Sequence, residues 1–350
     1  MALDEAPPFW WKNPGWQAWL LSPFSFIYGR AAGKRMEFSA SVAVDAPVIC
    51  VGNFIVGGAG KTPTVELLSK HVRARGLRPG VLTRGHGGAI TSPTIVRRNR
   101  HNAHDVGDEA LLHAKHAITV VSADRPSGAE LLMKQGCELI LMDDGFQNPS
   151  LEKDFNLVVV DAKRGLGNGF AMPAGPMRVP FRHQLFHADT ILVIGEGARG
   201  DAVVRKCAKA GKPIIRAMVK PRGTLPEKPY FAYAGIADTT KFTDTLQLIG
   251  ADLRGTEAFG DHHFFTQDEC DELIQQAKAL DAKLITTAKD AERLRGVSPA
   301  HDRLLEESEI LDITLQVEDP NLIEHIIDVA TQRSIKSKLA RQKTLTATTQ

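Results

Sequence analysis

The sequence predicts an α/β protein: a mostly parallel sheet with helices on both faces, a smaller C-terminal α/β unit, and an N-terminal helix lying at an interface. Three observations carry this. Short apolar runs alternate with helical stretches through residues 47–194, as strand–helix–strand units do. Residues Cys50-Val51-Gly52-Asn53-Phe54-Ile55-Val56-Gly57-Gly58-Ala59-Gly60-Lys61-Thr62-Pro63 read as a buried strand entering a glycine-rich loop and then a helix. All 4 tryptophans, Trp10, Trp11, Trp16 and Trp19, fall in one N-terminal segment.

That segment, residues 1–40, also holds Leu20, Leu21, Phe24, Phe26 and Ile27, followed by Arg30, Lys34 and Arg35. It opens with Asp4 and Glu5 and is interrupted by Pro14 and Pro23, so it is neither a secretory signal nor an unbroken run of about 20 apolar residues that would span a bilayer. Tryptophan favours the headgroup zone, and the basic residues would face anionic lipid. The segment is therefore expected to lie on a membrane; the other reading is a helix packed on the protein's own core.

Residues 41–211 form the expected core, with strands at 47–52, 80–83, 118–121, 138–143, 156–161 and 190–194 and helices at 63–76, 108–116 and 126–136. Ligands of such a sheet collect at the carboxyl ends of its strands. After the first strand, Gly57, Gly58, Ala59 and Gly60 allow backbone N–H groups to turn inward around phosphate oxygens. Lys61 reaches the outer phosphates, the Thr62 hydroxyl can ligate Mg²⁺, and Pro63 suits a first helical turn. The loop is a variant, since Ile55 stands where the usual pattern has its first glycine. The run Leu139-Ile140-Leu141-Met142-Asp143-Asp144 delivers two carboxylates to a strand end, where acids direct Mg²⁺.

Other strand ends carry polar clusters. Arg84, in Leu82-Thr83-Arg84-Gly85-His86-Gly87-Gly88, could hold a phosphate through two nitrogens or simply occupy a surface turn. Asp108 and Glu109 could serve a metal or act as a base, or merely favour a helix N-terminus. The glycine- and proline-rich stretch 164–178 suggests rigid pocket walls; its glycines lead into no helical pattern, so they are a weak dinucleotide signal.

Residues 212–332 form the expected smaller unit, with strands at 214–219, 230–234 and 284–286 and helices at 241–249, 267–280 and 319–330. Its cluster Asp261-His262-His263 could place an imidazole beside a carboxylate, yet it lacks a spaced third partner for zinc. Residues 333–350 read as a solvated basic tail with Arg333, Lys336, Lys338, Arg341 and Lys343.

Composition narrows the function classes. With 43% apolar residues the chain can bury one large core or two moderate ones, and a net charge of +2 without a basic, aromatic-interleaved stripe argues against nucleic acid as a partner. Cys50, Cys137, Cys207 and Cys270 show no metal-ligand spacing, which points to reduced thiols in a cytosolic compartment.

Taken together, GNFIVGGAGKTP, LTRGHGG, VGDEALL, DRPSGA, MDDGFQN, RGLGNG, PAGPMR, DHHFF and TTAKD, in this order over roughly residues 10–295, resemble the tetraacyldisaccharide 4′-kinases of lipid A biosynthesis. The resemblance implies transfer of the γ-phosphoryl group of Mg-ATP to the 4′-hydroxyl of an acylated glucosamine disaccharide 1-phosphate. It also implies a peripheral or monotopic site at the cytoplasmic leaflet of the inner membrane, and no obligate protein partner is inferred. In that scheme Gly57–Gly60 cradle phosphates, Lys61 stabilises the transferring group, and Thr62 with Glu109 and Asp143 or Asp144 manages Mg²⁺. Asp108 is the base, assisted by His262 or His263, while Arg84, Arg125 and Arg178 serve the sugar and its 1-phosphate. Asn148, Val179 and Ala288 depart from the family's usual residues, which puts details of the adenine or sugar pocket in doubt. The alternative is a soluble phosphate-loop switch or metallochaperone-type NTPase; Thr287-Ala288-Lys289-Asp290 does not fit the guanine-reading NKxD.

Overall fold

The structure, a computed structural model, describes residues 6–348. Residues 1–5 and 349–350, the outer ends of the expected interfacial segment and basic tail, lie outside it. A turn of 3-10 helix (Pro8–Trp11) and helix α1 (Trp16–Phe38) precede the core. The core runs β1 (Val48–Asn53), α2 (Lys61–Ala74), β2 (Pro79–Thr83), β3 (Thr94–Ile95), α3 (Ala103–Val106), α4 (Asp108–His113), β4 (Ile118–Val121), α5 (Arg125–Lys134), β5 (Leu139–Asp143), β6 (Phe155–Asp161), α6 (Phe181–His187), β7 (Thr190–Ile194), α7 (Ala198–Lys209) and β8 (Ile214–Pro221). A second unit follows with β9 (Pro229–Ala234), α8 (Thr239–Leu248), β10 (Asp252–Ala258), α9 (Gln267–Ala279), β11 (Lys283–Thr287), α10 (Ala288–Leu294), α11 (Pro299–Glu306) and β12 (Ser308–Leu311). The chain closes with β13 (Ile313–Val317) and α12 (Asn321–Thr348).

The larger sheet has the order β13-β8-β7-β6-β1-β5-β2-β4-β3, parallel except at its two edge pairs. Its central strands are buried on both faces, which is why they read as unbroken apolar runs. One face packs α5 and α7 through Leu132, Val203 and Cys207; the other packs α2 and α12 through Val65, Leu68, Ile323 and Ile327. From β1 the chain continues to β2 on one side, while β6 to β8 lie on the other. The loop leaving β1 therefore sits at the crevice where strand order reverses. Here the backbones come close: a Cβ on Gly52 would stand 2.3 Å from the Phe146 Cβ.

The division expected at residue 212 differs from the observed one. The smaller sheet, β10-β9-β11-β12, is parallel throughout and comprises strands within 229–311 only. β8 and β13 are joined to the larger sheet, because β13 pairs antiparallel with β8 from Ile313↔Pro221 to Val317↔Ala217. The expected solvated tail is likewise helical: α12 buries Ile323, Ile326, Ile327 and Ala330, and continues with Arg333 2.8 Å from Asp189, Lys338 3.6 Å from Asp45 and Arg341 3.7 Å from Glu152. Acids on the core surface meet the basic side chains there.

Helix α1 turns a face of small residues, Ala18, Ser25, Gly29 and Gly33, to the core and leaves its bulky residues outside. Ser25 Oγ donates to the Ala171 carbonyl at 2.6 Å, and Gly29 sits against Pro180. Trp16, Trp19, Leu20, Phe24, Phe26 and Ile27 are each more than 60% exposed (62–73%), the reverse of an ordinary amphipathic helix. Pro23 interrupts the sequence pattern but not the helix: the Trp19 carbonyl, which it cannot serve, accepts from Ser22 Oγ at 2.8 Å. No helix among the described residues is long and apolar enough to cross a membrane. The four cysteines are free and buried.

Candidate active site

The loop between β1 and α2 is held from both sides. Asn53 Nδ2 donates to the Gly57 carbonyl (3.0 Å), Gln147 Nε2 to the Asn53 carbonyl (2.7 Å), and Val56 N to the Pro176 carbonyl (2.9 Å). Ile55, in place of a glycine, is buried and bridges to Met177. Gly60 adopts φ +91°, a left-handed conformation, and a Cβ there would lie 2.5 Å from Ile194 Cδ1, so glycine is required. Gly60 caps α2 without a side-chain acceptor, leaving the first-turn amides for an anion. Lys61 follows, buried, with Nζ 3.6 Å from Asp144 Oδ1.

The two carboxylates at the end of β5 diverge. Asp143 is fully buried, with Oδ2 3.1 Å from His113 Nε2 and Oδ1 without a hydrogen-bond partner. Asp144 takes φ +50° and turns its carboxylate to Arg178, whose Nη1 and Nη2 donate at 2.7 and 2.9 Å. Burial works against its charge, but Lys61 and Arg178 outweigh it and hold the carboxyl well below the usual range. Asp144 is thus already compensated, and Asp143 keeps the open oxygen.

Helix α4 brings the other pair of acids. Glu109 Oε1 lies 3.3 Å from Thr62 Oγ1 and accepts from Lys289 Nζ at 2.6 Å. Burial opposes its charge most, but Lys289 and Lys61 together outweigh that cost and lower the carboxyl to about 2. Asp108 Oδ2 receives Arg293 Nε and Nη2 at 2.9 and 2.7 Å, and Oδ1 lies 3.5 Å from His262 Nδ1. Despite burial, His262 and Arg293 keep Asp108 far below the ordinary carboxylate range; in return Asp108 raises His262. His262 stands at φ +57° with its ring edge-on to His86. Its neighbour points elsewhere: His263 Nε2 is 3.0 Å from Glu269 Oε2, and the ring stacks on Phe259.

The structure therefore gathers Gly57, Gly58, Ala59, Gly60, Lys61, Thr62 and Pro63 with Asp108, Glu109, Asp143, Asp144, Arg178 and His262. His263 is directed to Glu269 instead. Arg84 is exposed on the loop after β2. Arg125, expected at the sugar phosphate, is only 2% exposed and donates to the Ser122 carbonyl at 3.0 Å, so it is enclosed beneath the acidic strand end. Lys289 and Arg293 were not assigned from sequence. Their signal was the spacing of four after Thr287, which caps α10 and puts both cations on one helix face.

A Mg²⁺ ion fits this donor set. Asp143 Oδ1 is a buried oxygen lacking a partner, and the Thr62 hydroxyl and Glu109 stand together at the loop. Among the described residues no three His, Cys, Asp or Glu side chains form a metal cage.

A phosphate loop at the switch point of a parallel sheet, with acids at the adjacent strand end and helix start, defines a phosphotransferase of the phosphate-loop nucleotide-binding class. The family model described as tetraacyldisaccharide-1-P 4′-kinase (LpxK) matches residues 17–331, and the chain belongs to that family. The tetraacyldisaccharide 4′-kinase of Agrobacterium fabrum is 46% identical over 332 residues, 94% of this chain and 95% of that protein. The Brucella ovis protein of the same name is 42% identical over 338 residues, 96% and 99% of the two chains. The crystal structure of LpxK from Aquifex aeolicus in complex with ATP superposes with TM-score 0.70 at 24% identity, covering 90% of this chain and 99% of that one, and so shares the fold.

Proposed function

We propose that this kinase transfers the γ-phosphoryl group of ATP to the 4′-hydroxyl of a tetraacylated glucosamine disaccharide 1-phosphate, at the cytoplasmic face of the inner membrane. The carrying observation is the Thr62–Glu109 contact of 3.3 Å, which joins the start of α4 to the phosphate loop and supports the reading in which Asp108 acts on the acceptor of the transferring group. The Gly57–Gly60 backbone and the first-turn amides of α2 bind phosphate oxygens, and Lys61 offsets their charge. Asp108 Oδ1, with His262, orients the acceptor hydroxyl and takes up its proton. Arg178 holds Asp144 toward Lys61 and stands at the strand edge where an anionic sugar substituent would meet it; exposed Arg84 offers a second cation. Thr62, Glu109 and Asp143 would hold Mg²⁺, which when bound supplies neutralisation of charge on the bridging phosphate oxygens. The aromatic face of α1 would seat the enzyme on the leaflet that holds its acylated substrate.

The test is transfer of radiolabelled γ-phosphate from Mg-ATP to a tetraacyldisaccharide 1-phosphate in mixed micelles. Wild type is expected to label the lipid, and Lys61→Ala to lose at least ~100-fold of that rate. ATP binding by the wild type without labelled lipid would sink the assignment.

A further inference from the structure

Asp108 is held by a residue from the other sheet unit. Arg293, on α10, is 185 positions away in sequence, yet both side chains are almost fully enclosed, at 1% and 3% exposure. Two guanidinium nitrogens, Nε and Nη2, converge on the single oxygen Oδ2. The third, Nη1, is fixed at its far end by the Gly235 carbonyl at 2.5 Å and Asp290 Oδ1 at 2.7 Å. Asp290 is itself immobilised, since it accepts from Gly235 N at 3.1 Å and from Thr287 Oγ1 at 2.6 Å. The arginine is thus a rigid strut, while a carboxylate left alone rotates broadly about its last torsion.

From this arrangement we infer that Arg293 is a positioning residue for phosphoryl transfer: by occupying Oδ2 it fixes the Asp108 carboxylate so that Oδ1, with His262, is presented to the acceptor hydroxyl. The inference rests on the kinase reading above. Oδ1 is already defined by the Glu109 amide at 2.9 Å and by His262 Nδ1 at 3.5 Å, so only the plane of the carboxylate is left for Arg293 to set. One helical turn earlier, Lys289 engages Glu109. The smaller unit therefore contributes one cation to each of the two adjacent acids, but only Arg293 has the planar fork that dictates orientation. A lysine at 293 would retain charge and lose the fork.

Transfer to the lipid acceptor and ATP binding are measured for wild type, Arg293→Lys and Arg293→Met, with thermal melting to verify folding. The expected kcat losses are ~10-fold for Arg293→Lys and ~100-fold or more for Arg293→Met, with the KM for ATP within ~3-fold, because a small misplacement of a reacting group has this scale of effect while the phosphate loop stays intact. A folded Arg293→Met enzyme with kcat within ~3-fold of wild type would overturn the inference, as would a parallel loss of ATP affinity in both variants. If Arg293→Met does not fold, Arg293→Lys decides, and undiminished kcat there rejects the orienting role. Absence of transfer by the wild type is a different outcome: it rejects the kinase reading itself.

Discussion

Asp154 shows how a single carboxyl ties stability to pH. It lies beneath α12 and accepts the Val48 amide at 2.8 Å; burial pushes its carboxyl up to about 6, with the charge of Glu152 adding to the rise. An unfolded aspartate titrates near 3.9, so between about pH 4 and pH 6 the folded state binds more protons. Stability from this group is fully present below that window and is lost as pH rises through it. Asp154→Asn keeps the acceptor and removes the charge, so its melting temperature should exceed wild type at about pH 7.5 and show no such gain at about pH 4, as read by calorimetry. At this scale the sequence marked residues whose chemistry is local, such as Lys61 and Thr62 after a glycine loop. It could not allot Asp143 and Asp144 to different tasks. Their partners, His113 and Arg178, are 30 and 34 positions distant, and the side chains diverge because Asp143 ends the strand while Asp144, just past it, takes a left-handed conformation at φ +50°. The burial of Arg125 was illegible for a related reason, since nothing local distinguishes an enclosed guanidinium from an exposed one.

Elements were legible where periodicity and termini agreed. The central strands were read to within a residue or two, being apolar runs bounded by turns. Helix α1 was legible in composition but not in packing, for its inner face is made of alanine, serine and glycine rather than the bulky residues that usually mark burial. That inversion leaves Trp16, Leu20, Phe24 and Ile27 along one outer face, with Arg30, Lys34 and Arg35 also exposed. The double substitution Leu20→Glu, Phe24→Glu should therefore weaken co-sedimentation with anionic phospholipid vesicles by ~10-fold or more, since it removes apolar area and adds repulsion. Both side chains are exposed, so the melting temperature should stay within a few degrees of wild type. Equal vesicle binding by the two proteins would remove α1 from the interface.

For the whole molecule, the seam between the two sheet units is largely ionic. Besides the contacts of Lys289 and Arg293, Arg98 and Lys115 reach the buried Glu292 at 2.9 and 2.8 Å, Lys163 reaches Asp244 at 2.7 Å, and Lys241 pairs with Asp161. None of these pairs is short-range in sequence, which is why the order of elements could be read while the boundary between units could not. Strand pairing, not composition, assigns β8 and β13 to the larger sheet. The return of the chain has a consequence of its own. Arg222 N donates to the Asp312 carbonyl at 2.8 Å, so the stretch 222–312 leaves and re-enters the fold at a single point, like a bracketed clause. The partners that hold the acid pair of α4, Lys289 and Arg293, could then be lifted out together with His262 by joining β8 to β13 through a short hairpin turn, leaving Asp108 on the larger unit. The shortened chain should still bind a fluorescent ATP analogue, through Lys61 and the amides of α2, and transfer nothing. Phosphate capture and the fixing of the acids that complete the transfer would thereby be separable inheritances, open to independent exchange by grafting another insert at the same joint.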